Sequence, residues 1–376
     1  MNESFLIPHR PGGIAELHFG LMGTYYICQK LKKGLIFDAS WSNYNKKKQG
    51  IVQPQLGSRG YNINLWKALY KQPDKIDNVQ FYSPEEFPEL YVNNDFPHDV
   101  HNDAIIIADH NKQNTMKEVF LNNDYKFIYN TYRTGVSNVI WPEMKDPNLI
   151  NYYDFVNNFE YADTFNNLLQ YYLKNYFDNK FVIGVHIRQS SEKELGNAGF
   201  PPNWFTTEKV IPLIEKHYTE QLSNNPGIFL CTDCPVLNKE VPEYFGDKMF
   251  STKKVDIGAY NVKNSEGKYI PRKINNKELL SKDCSNHIDK DGFAYYDFLY
   301  SALDHILLGY TKSLLYTSCS YFTFYAQRAY KHYNRENNIH QLFKSFNLNK
   351  LKEYIYKNKK YTFGKTNKYR WEVEDI

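Results

Sequence analysis

The sequence predicts an α/β protein with mostly parallel strands. Short apolar runs alternate with helical patterns along the chain, which is the order that parallel α/β sheets require. The length of 376 residues suggests about two to three domains. Hydrophobic residues make up 42% of the chain and charged residues 23%, with 16 Pro and 19 Gly. This composition is that of a globular protein and excludes a disordered tail or a collagen-like repeat.

The first half of the chain is predicted to begin with a helix and to continue with strands. Gly12-Gly13 precedes a stretch in which apolar residues recur every three or four positions and therefore share one helix face. Gly34 marks the expected end of this helix. The apolar positions of the helix are Leu17, Leu21, Tyr25, Cys28 and Leu31. Strands are predicted at residues 35–38, 104–108 and 127–129, followed by a helical connection over residues 146–179.

A second series of elements starts with the continuous apolar run 181–185, which is typical of a strand buried between two helical layers. A helix is predicted around residues 207–222, where Pro212 indicates a late start or a kink. The polar, Lys- and Asn-rich residues 261–291 are expected to form a surface loop. The remaining predicted elements are strands at 228–231 and 313–316 and helices at 296–308 and 321–333.

These two series predict two facing Rossmann-like domains, residues 1–170 and 171–335. A basic, helical tail of residues 336–376 is expected to follow and either to pack back or to be exposed. Ligands of such sheets bind at the carboxyl ends of the strands. The loops that follow each strand are therefore the places to look for a functional site.

The charge and cysteine content narrow the functional class. The formal net charge of +4 is too small to make a nucleic acid the main partner. Residues 331–376 carry 11 basic and 5 acidic side chains. This tail either contacts an anionic membrane surface loosely or is a solvated end. Five cysteines, no apolar stretch near the ~18 residues of a membrane span, and no signal-peptide pattern indicate a cytoplasmic protein.

The loop after the run 181–185 combines a base, a cation and two acids. His186 and Arg188 project to the same side of a strand because side chains alternate. A guanidinium beside an imidazole suits a phosphate, since Arg offers a planar fork of donors. Glu192 and Glu194 lie within reach of a reacting hydroxyl as general bases. The alternative is an Arg–Glu pair at the surface.

The loop after the strand 228–231 contains Asp233 between two cysteines. Cys231 and Cys234 have the Cys-x-x-Cys spacing of a metal or redox site, but the sequence has no second pair and no nearby His cluster. We therefore expect no metal. Asp233 is a candidate acceptor for ribose hydroxyls or a base edge, with a helix N-cap as the alternative.

Small hydroxyl residues crowd the end of the last predicted strand. Thr317, Ser318 and Ser320 come directly before a helix, where free N–H groups and the helix dipole favour a phosphate. Ordinary capping accounts for one of them. On the preceding helix, Asp304 interrupts an apolar run and is either bound to a partner or on a solvated face.

Taken together, these loops resemble the α1,6-fucosyltransferase superfamily, and most of all the bacterial nodulation fucosyltransferases. Three stretches carry the likeness, over about half of the chain. They are Arg10-Pro11-Gly12-Gly13-Ile14-Ala15-Glu16-Leu17-His18 with Leu35-Ile36-Phe37-Asp38 and Trp41; Ile183-Gly184-Val185-His186-Ile187-Arg188; and Thr232-Asp233-Cys234-Pro235 with residues 304–320. Residues 43–179 show no match.

The resemblance implies a GT-B fold, with the acceptor side on the first domain and the donor on the second. It implies an inverting, metal-independent transfer of fucose from GDP-fucose to a hydroxyl of a glycan, in an α1,6 linkage to N-acetylglucosamine. By position, Arg188 would bind the β-phosphate and Glu194 or Glu192 would act as the base. The implied donor-binding residues are Gly12, Gly13, His186, Asp233, Asp304, Ser318 and Ser320.

Two positions depart from the family pattern. Gln189 stands where many members carry a second Arg, and Cys234 stands where a second acid is usual. These departures keep two alternatives open. One is a transferase for a different nucleotide sugar, and the other is a non-catalytic nucleotide- or glycan-binding protein of the same fold.

Overall fold

The structure, a computed structural model, divides the chain into two compact units. The first comprises Met1–Tyr171 with Cys284–His305, and the second comprises Tyr172–Asp283 with Ile306–Ile376. Residues 284–305, which the sequence pattern places in the second domain, thus group with the first unit. The described residues are 4–8, 14–39, 64–87, 104–107, 119–121, 125–130, 147–188, 206–232, 234–252, 261–263, 269–271, 290–317 and 320–342.

The first unit contains a six-stranded sheet in the order β3-β4-β2-β1-β6-β5, parallel except for the β3–β4 pair. Its strands are β1 (Phe5–Pro8), β2 (Gly34–Ile36), β3 (Lys75–Ile76), β4 (Val79–Tyr82), β5 (Ala104–Ile107) and β6 (Phe127–Asn130). Nothing in the sequence pattern marks β1, yet it lies at the centre, with Phe5 in register with both Gly34 and Phe127. The buried rings of Phe5, Phe87 and Phe127 pack together against this strand.

Helices cover this unit where the apolar periodicity predicts them. The first helix runs over the residues expected from its repeat of three and four, and nearly all of that repeat is buried. The expected connection over residues 146–179 contains two α-helices and then, already in the second unit, a π-helical turn, Leu173–Phe177. The α-helices of the unit include α1 (Ile14–Leu31), α2 (Trp66–Leu69), α3 (Pro147–Asn157) and α4 (Asp163–Tyr172).

The second unit contains a fully parallel five-stranded sheet in the order β13-β12-β7-β8-β9. Central strand β7 is buried along its whole length, as its uninterrupted apolar run predicts. The strands are β7 (Val182–Ile187), β8 (Gly227–Thr232), β9 (Met249–Phe250), β12 (Ser313–Tyr316) and β13 (Ile339–Gln341). The helices are α5 (Thr207–Glu220), α6 (Pro235–Phe245), α7 (Lys290–Tyr310, shared between the units) and α8 (Phe324–His332). The α/β class with two parallel-sheet domains is therefore confirmed.

Two sequence predictions need correction. The polar segment 261–291 is not only a loop, because Asn261–Lys263 (β10) and Tyr269–Pro271 (β11) pair as antiparallel strands. The helix expected over residues 321–333 begins as a 3-10 turn, Tyr321–Thr323, and becomes α-helical only at Phe324. Most of the tail, residues 343–376, lies outside the described residues, and β13 adds its start to the second sheet.

We expect that replacing Gly184 with Ala lowers the free energy of unfolding by about 1–3 kcal/mol. A Cβ there would lie 2.8 Å from Oγ1 of Thr311. Thr311 cannot move aside easily, because its hydroxyl lies 2.8 Å from both the carbonyl of Leu308 and the hydroxyl of Tyr330. Urea unfolding followed by circular dichroism measures the change. Gly227→Ala, where the nearest atom is 3.7 Å away, is the matched control and should be nearly neutral. Equal effects of the two variants would contradict the packing argument.

Candidate active site

The candidate site lies at the carboxyl edge of the second sheet, where β7, β8 and β12 end together. His186 of β7 is in register with Cys231 of β8 and with Tyr316 of β12. Because the three strands are parallel, the residues that follow them emerge at the same edge. The structure thus brings the start of the His186–Arg188 loop beside the start of the hydroxyl-rich segment.

Arg188 is tied directly to this second segment. Its backbone N–H donates to Oγ1 of Thr317 at 3.0 Å. The N–H of Thr317 in turn donates to the carbonyl of His186 at 3.1 Å. These two bonds continue the β7–β12 contact past the last ladder pair and fix where Arg188 leaves the sheet. The Arg188 side chain is half-buried.

His186 is held by an aromatic partner from the same segment. Its imidazole stacks on the ring of Phe322, with 5.1 Å between the ring centroids and 12° between the planes. The imidazole is buried, so the stack sets its orientation at the end of β7.

Ser320 begins the 3-10 turn that leads into α8. Its Oγ accepts a hydrogen bond from the N–H of Phe322 at 3.3 Å, and its carbonyl accepts one from the Thr323 hydroxyl at 3.4 Å. This is the capping role that the sequence offered as the alternative. A hydroxyl that accepts one bond still has its O–H to donate. The half-buried Ser320 can therefore cap the turn and donate to an anion at the same time.

The Cys-x-x-Cys pair is internal. Cys231 and Cys234 are buried, and the N–H of Cys234 donates to Oγ1 of Thr232 at 3.2 Å. Cys234 precedes Pro235, the first residue of α6. Within the part of the chain that the structure describes, no group of three or more His, Cys, Asp or Glu side chains is placed to hold a metal ion.

Asp304 lies on α7 and belongs to the first unit. Only 4% of it is exposed, so the alternative of a solvated helix face is wrong. Next to it, His305 belongs to a buried polar network. The hydroxyl of Tyr152 lies 3.1 Å from Nε2 of His305, and the His305 ring stacks on His18 of α1 at 5.9 Å.

Burial shapes the protonation of this network. Nε2 of His18 lies 2.7 Å from the hydroxyl of Tyr70. Burial, and secondly the neighbouring His305, hold the pKa of His18 well below its usual value, against a smaller opposing effect of the Ile14 backbone. Burial also raises the pKa of Tyr152. His18 is therefore neutral in the folded protein at neutral pH.

This arrangement predicts a loss of stability in mild acid. Below about pH 6.5 the unfolded chain protonates His18 while the native protein does not, so the free energy of unfolding falls by up to about 1.4 kcal/mol per pH unit. In His18→Gln we expect a smaller drop in the thermal midpoint between pH 7.5 and 5.5, although the variant is less stable at both. His332→Gln, at an exposed histidine of α8, should keep the wild-type pH dependence. An unchanged pH dependence in His18→Gln would refute this interpretation.

Several predicted site residues fall outside the described residues. They are Gly12, Gly13, Glu192, Glu194, Asp233 and Ser318. Their roles, and that of Gln189, stay predictions from the sequence. Of the predicted site residues that are described, His186, Arg188 and Ser320 lie along one sheet edge, whereas Asp304 belongs to the other unit.

The sequence prediction missed two residues at this edge. Thr317 stood out only as one of several small hydroxyls, yet it is 1% exposed and bonds to the β7 loop. Phe322 was not singled out, although its position two residues after Ser320, a candidate phosphate ligand, marks an aromatic residue close to the predicted site. In both cases the neighbouring strand, and not the local sequence, decides the role.

Comparisons with known proteins show similarity at the level of the fold. No protein-family model matches the sequence, and curated proteins give no match. Among solved structures, the fucosyltransferase NodZ from Bradyrhizobium aligns with a TM-score of 0.52 and 16% identity, covering 87% of this chain and 93% of that one. NodZ α1,6-fucosyltransferase co-crystallised with GDP aligns with a TM-score of 0.51, 16% identity and coverage of 87% and 92%. The same enzyme soaked with GDP-fucose gives 0.50, 15%, 87% and 92%.

Among the helices that the structure describes, none combines the length and the apolar character needed to cross a bilayer.

Proposed function

We propose that the protein is an inverting glycosyltransferase that moves fucose from GDP-fucose to a hydroxyl of a glycan acceptor. The observation that carries the proposal is the bond from the Arg188 backbone to Thr317, which joins the cation-bearing loop to the hydroxyl-rich segment ending at Ser320. The fold similarity to NodZ structures with GDP and GDP-fucose supports the choice of donor.

In the proposed reaction the acceptor hydroxyl attacks the anomeric carbon of fucose. The new C–O bond forms as the bond from that carbon to the β-phosphate oxygen breaks, and GDP leaves with an added negative charge. Arg188 stabilises this charge, which is greatest in the transition state and after it. Glu194 or Glu192 takes the proton of the attacking hydroxyl. Since Arg188 supplies the positive charge, we expect transfer without a metal ion or other cofactor.

The remaining predicted residues would hold the donor. Ser320 and Ser318 are proposed to donate to the diphosphate, and His186 and Asp233 to position the nucleoside. Asp304 is proposed for the nucleoside as well. Gly12 and Gly13 would allow the donor to approach the backbone, since glycine lacks a Cβ.

The proposal is tested by incubating purified full-length protein with GDP-fucose and a panel of oligosaccharide acceptors, with and without EDTA. We expect release of GDP and a product whose mass has increased by one fucose, unaffected by EDTA. Mass spectrometry of the product and a linkage analysis then identify the acceptor position, for which an α1,6 bond to N-acetylglucosamine is proposed. Absence of transfer with every GDP-sugar would refute the proposal.

A second candidate is a protein that binds a nucleotide or glycan without catalysis. It is favoured by Gln189 in place of a second Arg, and by Cys234, a buried thiol that cannot act as the usual second acid. This candidate predicts GDP binding without turnover. Turnover that is lost in a Glu192/Glu194 double variant would rule it out, and a panel of other activated sugars distinguishes a transferase for a different donor.

The proposed setting is the cytoplasm. Most of the basic segment lies in residues 343–376, outside the described residues, so the expected weak contact with the inner face of a membrane stays a prediction. The expectation that nucleic acid is not a partner also stays a prediction.

A further inference from the structure

We infer that Thr317 is a positioning residue for Arg188 in the reaction proposed above, on which this inference rests. Thr317 contacts the end of β7 at two points. Its N–H donates to the carbonyl of His186 at 3.1 Å, and its Oγ1 accepts from the N–H of Arg188 at 3.0 Å. The two bonds enclose Ile187 and the peptide group that leads into Arg188.

The side-chain bond begins where the regular sheet ends. Tyr316 is the last residue of β12 and pairs with His186, and Ile187 is the last residue of β7. Arg188 therefore leaves the ladder, and the Thr317 hydroxyl is what links its backbone to β12. A valine at this position would keep the shape of threonine and the N–H bond to His186, but it would remove the acceptor for Arg188.

The Thr317 hydroxyl is engaged within the protein, because its Oγ1 accepts a hydrogen bond from the N–H of Arg188. Thr317 is 1% exposed, whereas Arg188 and Ser320 are both half-buried. Its role is therefore indirect. Thr317 holds the Arg188 backbone in place, and the Arg188 side chain is the group proposed to bind the diphosphate. Displacement of a catalytic group by about 1 Å can reduce a rate by about 100-fold, so a fixed backbone matters at this position.

The same segment is also joined to β7 through Phe322. The Phe322 ring stacks on His186, and the N–H of Phe322 donates to the hydroxyl of Ser320. The distance between the Arg188 and Ser320 ends of the site is thus set by contacts at Thr317 and at Phe322. The hydroxyl of Thr317 can be removed by mutation while the stack of Phe322 on His186 stays in place.

The test compares Thr317→Val with Thr317→Ser, which keeps the accepting oxygen. Calorimetry measures the affinities for GDP and for GMP, which lacks the β-phosphate, and a transfer assay measures kcat. We expect Thr317→Val to lower kcat by about 10- to 100-fold. It should also lower the ratio of GDP affinity to GMP affinity without changing GMP affinity. Thr317→Ser should behave like the wild type.

A double variant separates positioning from general damage. If Thr317 acts through Arg188, Thr317→Val in an Arg188→Ala background should cause no further loss of kcat. A loss of kcat of equal size in both backgrounds, or an equal weakening of GDP binding and GMP binding, would overturn the inference.

The controls also separate this inference from the proposed function. Wild-type protein that binds no guanine nucleotide would refute the proposed function and the inference with it. If the wild type binds GDP and transfers fucose, and Thr317→Val is indistinguishable from it, the inference alone fails.

Discussion

Replacement of Arg188 with Ala is expected to reduce kcat for fucose transfer by about 10²- to 10³-fold, the range found when a charge-stabilising group is removed from an active site. In the proposed reaction the guanidinium faces a diphosphate whose charge increases as the sugar leaves, so loss of the guanidinium raises the free energy of the transition state more than that of the ground state. Arg188→Lys should have a kcat between those of Arg188→Ala and the wild type, because lysine keeps the charge but lacks the planar fork of donors. A transfer assay at saturating donor measures both variants.

The matched control for Arg188 is Lys312→Ala. Lys312 is exposed and precedes β12, at the opposite edge of the same sheet. The Lys312→Ala substitution removes one positive charge from the second unit without altering the candidate site, so kcat for transfer should be unchanged. Arg188→Ala that retains more than about a tenth of the wild-type kcat would contradict the assigned role, since a charge-stabilising group is worth more than that.

Replacement of the proposed general base is the second change with a large expected effect. Glu194→Gln should lower kcat by about 10²- to 10⁴-fold, because the amide cannot accept the proton of the acceptor hydroxyl. GDP affinity should be unchanged, since in the proposed reaction the base contacts the acceptor and not the nucleotide. Glu192→Gln is both the matched control and the test of the alternative assignment. Only one of the two variants should show the loss.

The outcome of this pair of variants decides which glutamate, if either, is the base. A large loss in Glu192→Gln with none in Glu194→Gln moves the base to Glu192 and leaves the mechanism intact. Wild-type rates in both single variants and in the double variant would show that neither Glu192 nor Glu194 is the base.

Much of the fold follows from local patterns. The bounds of α1 follow from its apolar repeat of three and four, since one buried face of a helix leaves that spacing in the sequence. Strand β1 has no comparable signal, because four residues ending in Pro8 are too few for periodicity to be visible. Its place at the centre of the first sheet comes from pairing with β2 and β6, which are distant in sequence. The π-helical turn at Leu173–Phe177 likewise has no apolar signature of its own.

The candidate site was predictable in outline and not in detail. Parallel strands end at a common edge, so the meeting of the Arg188 loop with the hydroxyl-rich segment could be foreseen. The separate roles of Thr317 and Ser320 could not, because both are small hydroxyls at neighbouring positions. Burial distinguishes them, with Thr317 inside and Ser320 half-buried at a turn. The burial of Asp304 was equally hidden, because an acid in an apolar helix pattern is compatible with either face.

The most direct measurement is a crystal structure of the full-length protein with GDP. The diphosphate should lie at the carboxyl edge of the second sheet, with the β-phosphate within hydrogen-bonding distance of the Arg188 guanidinium and the Ser320 hydroxyl. GDP bound at another surface, with the Arg188 side chain making no contact to it, would contradict the assignment of this edge as the donor site.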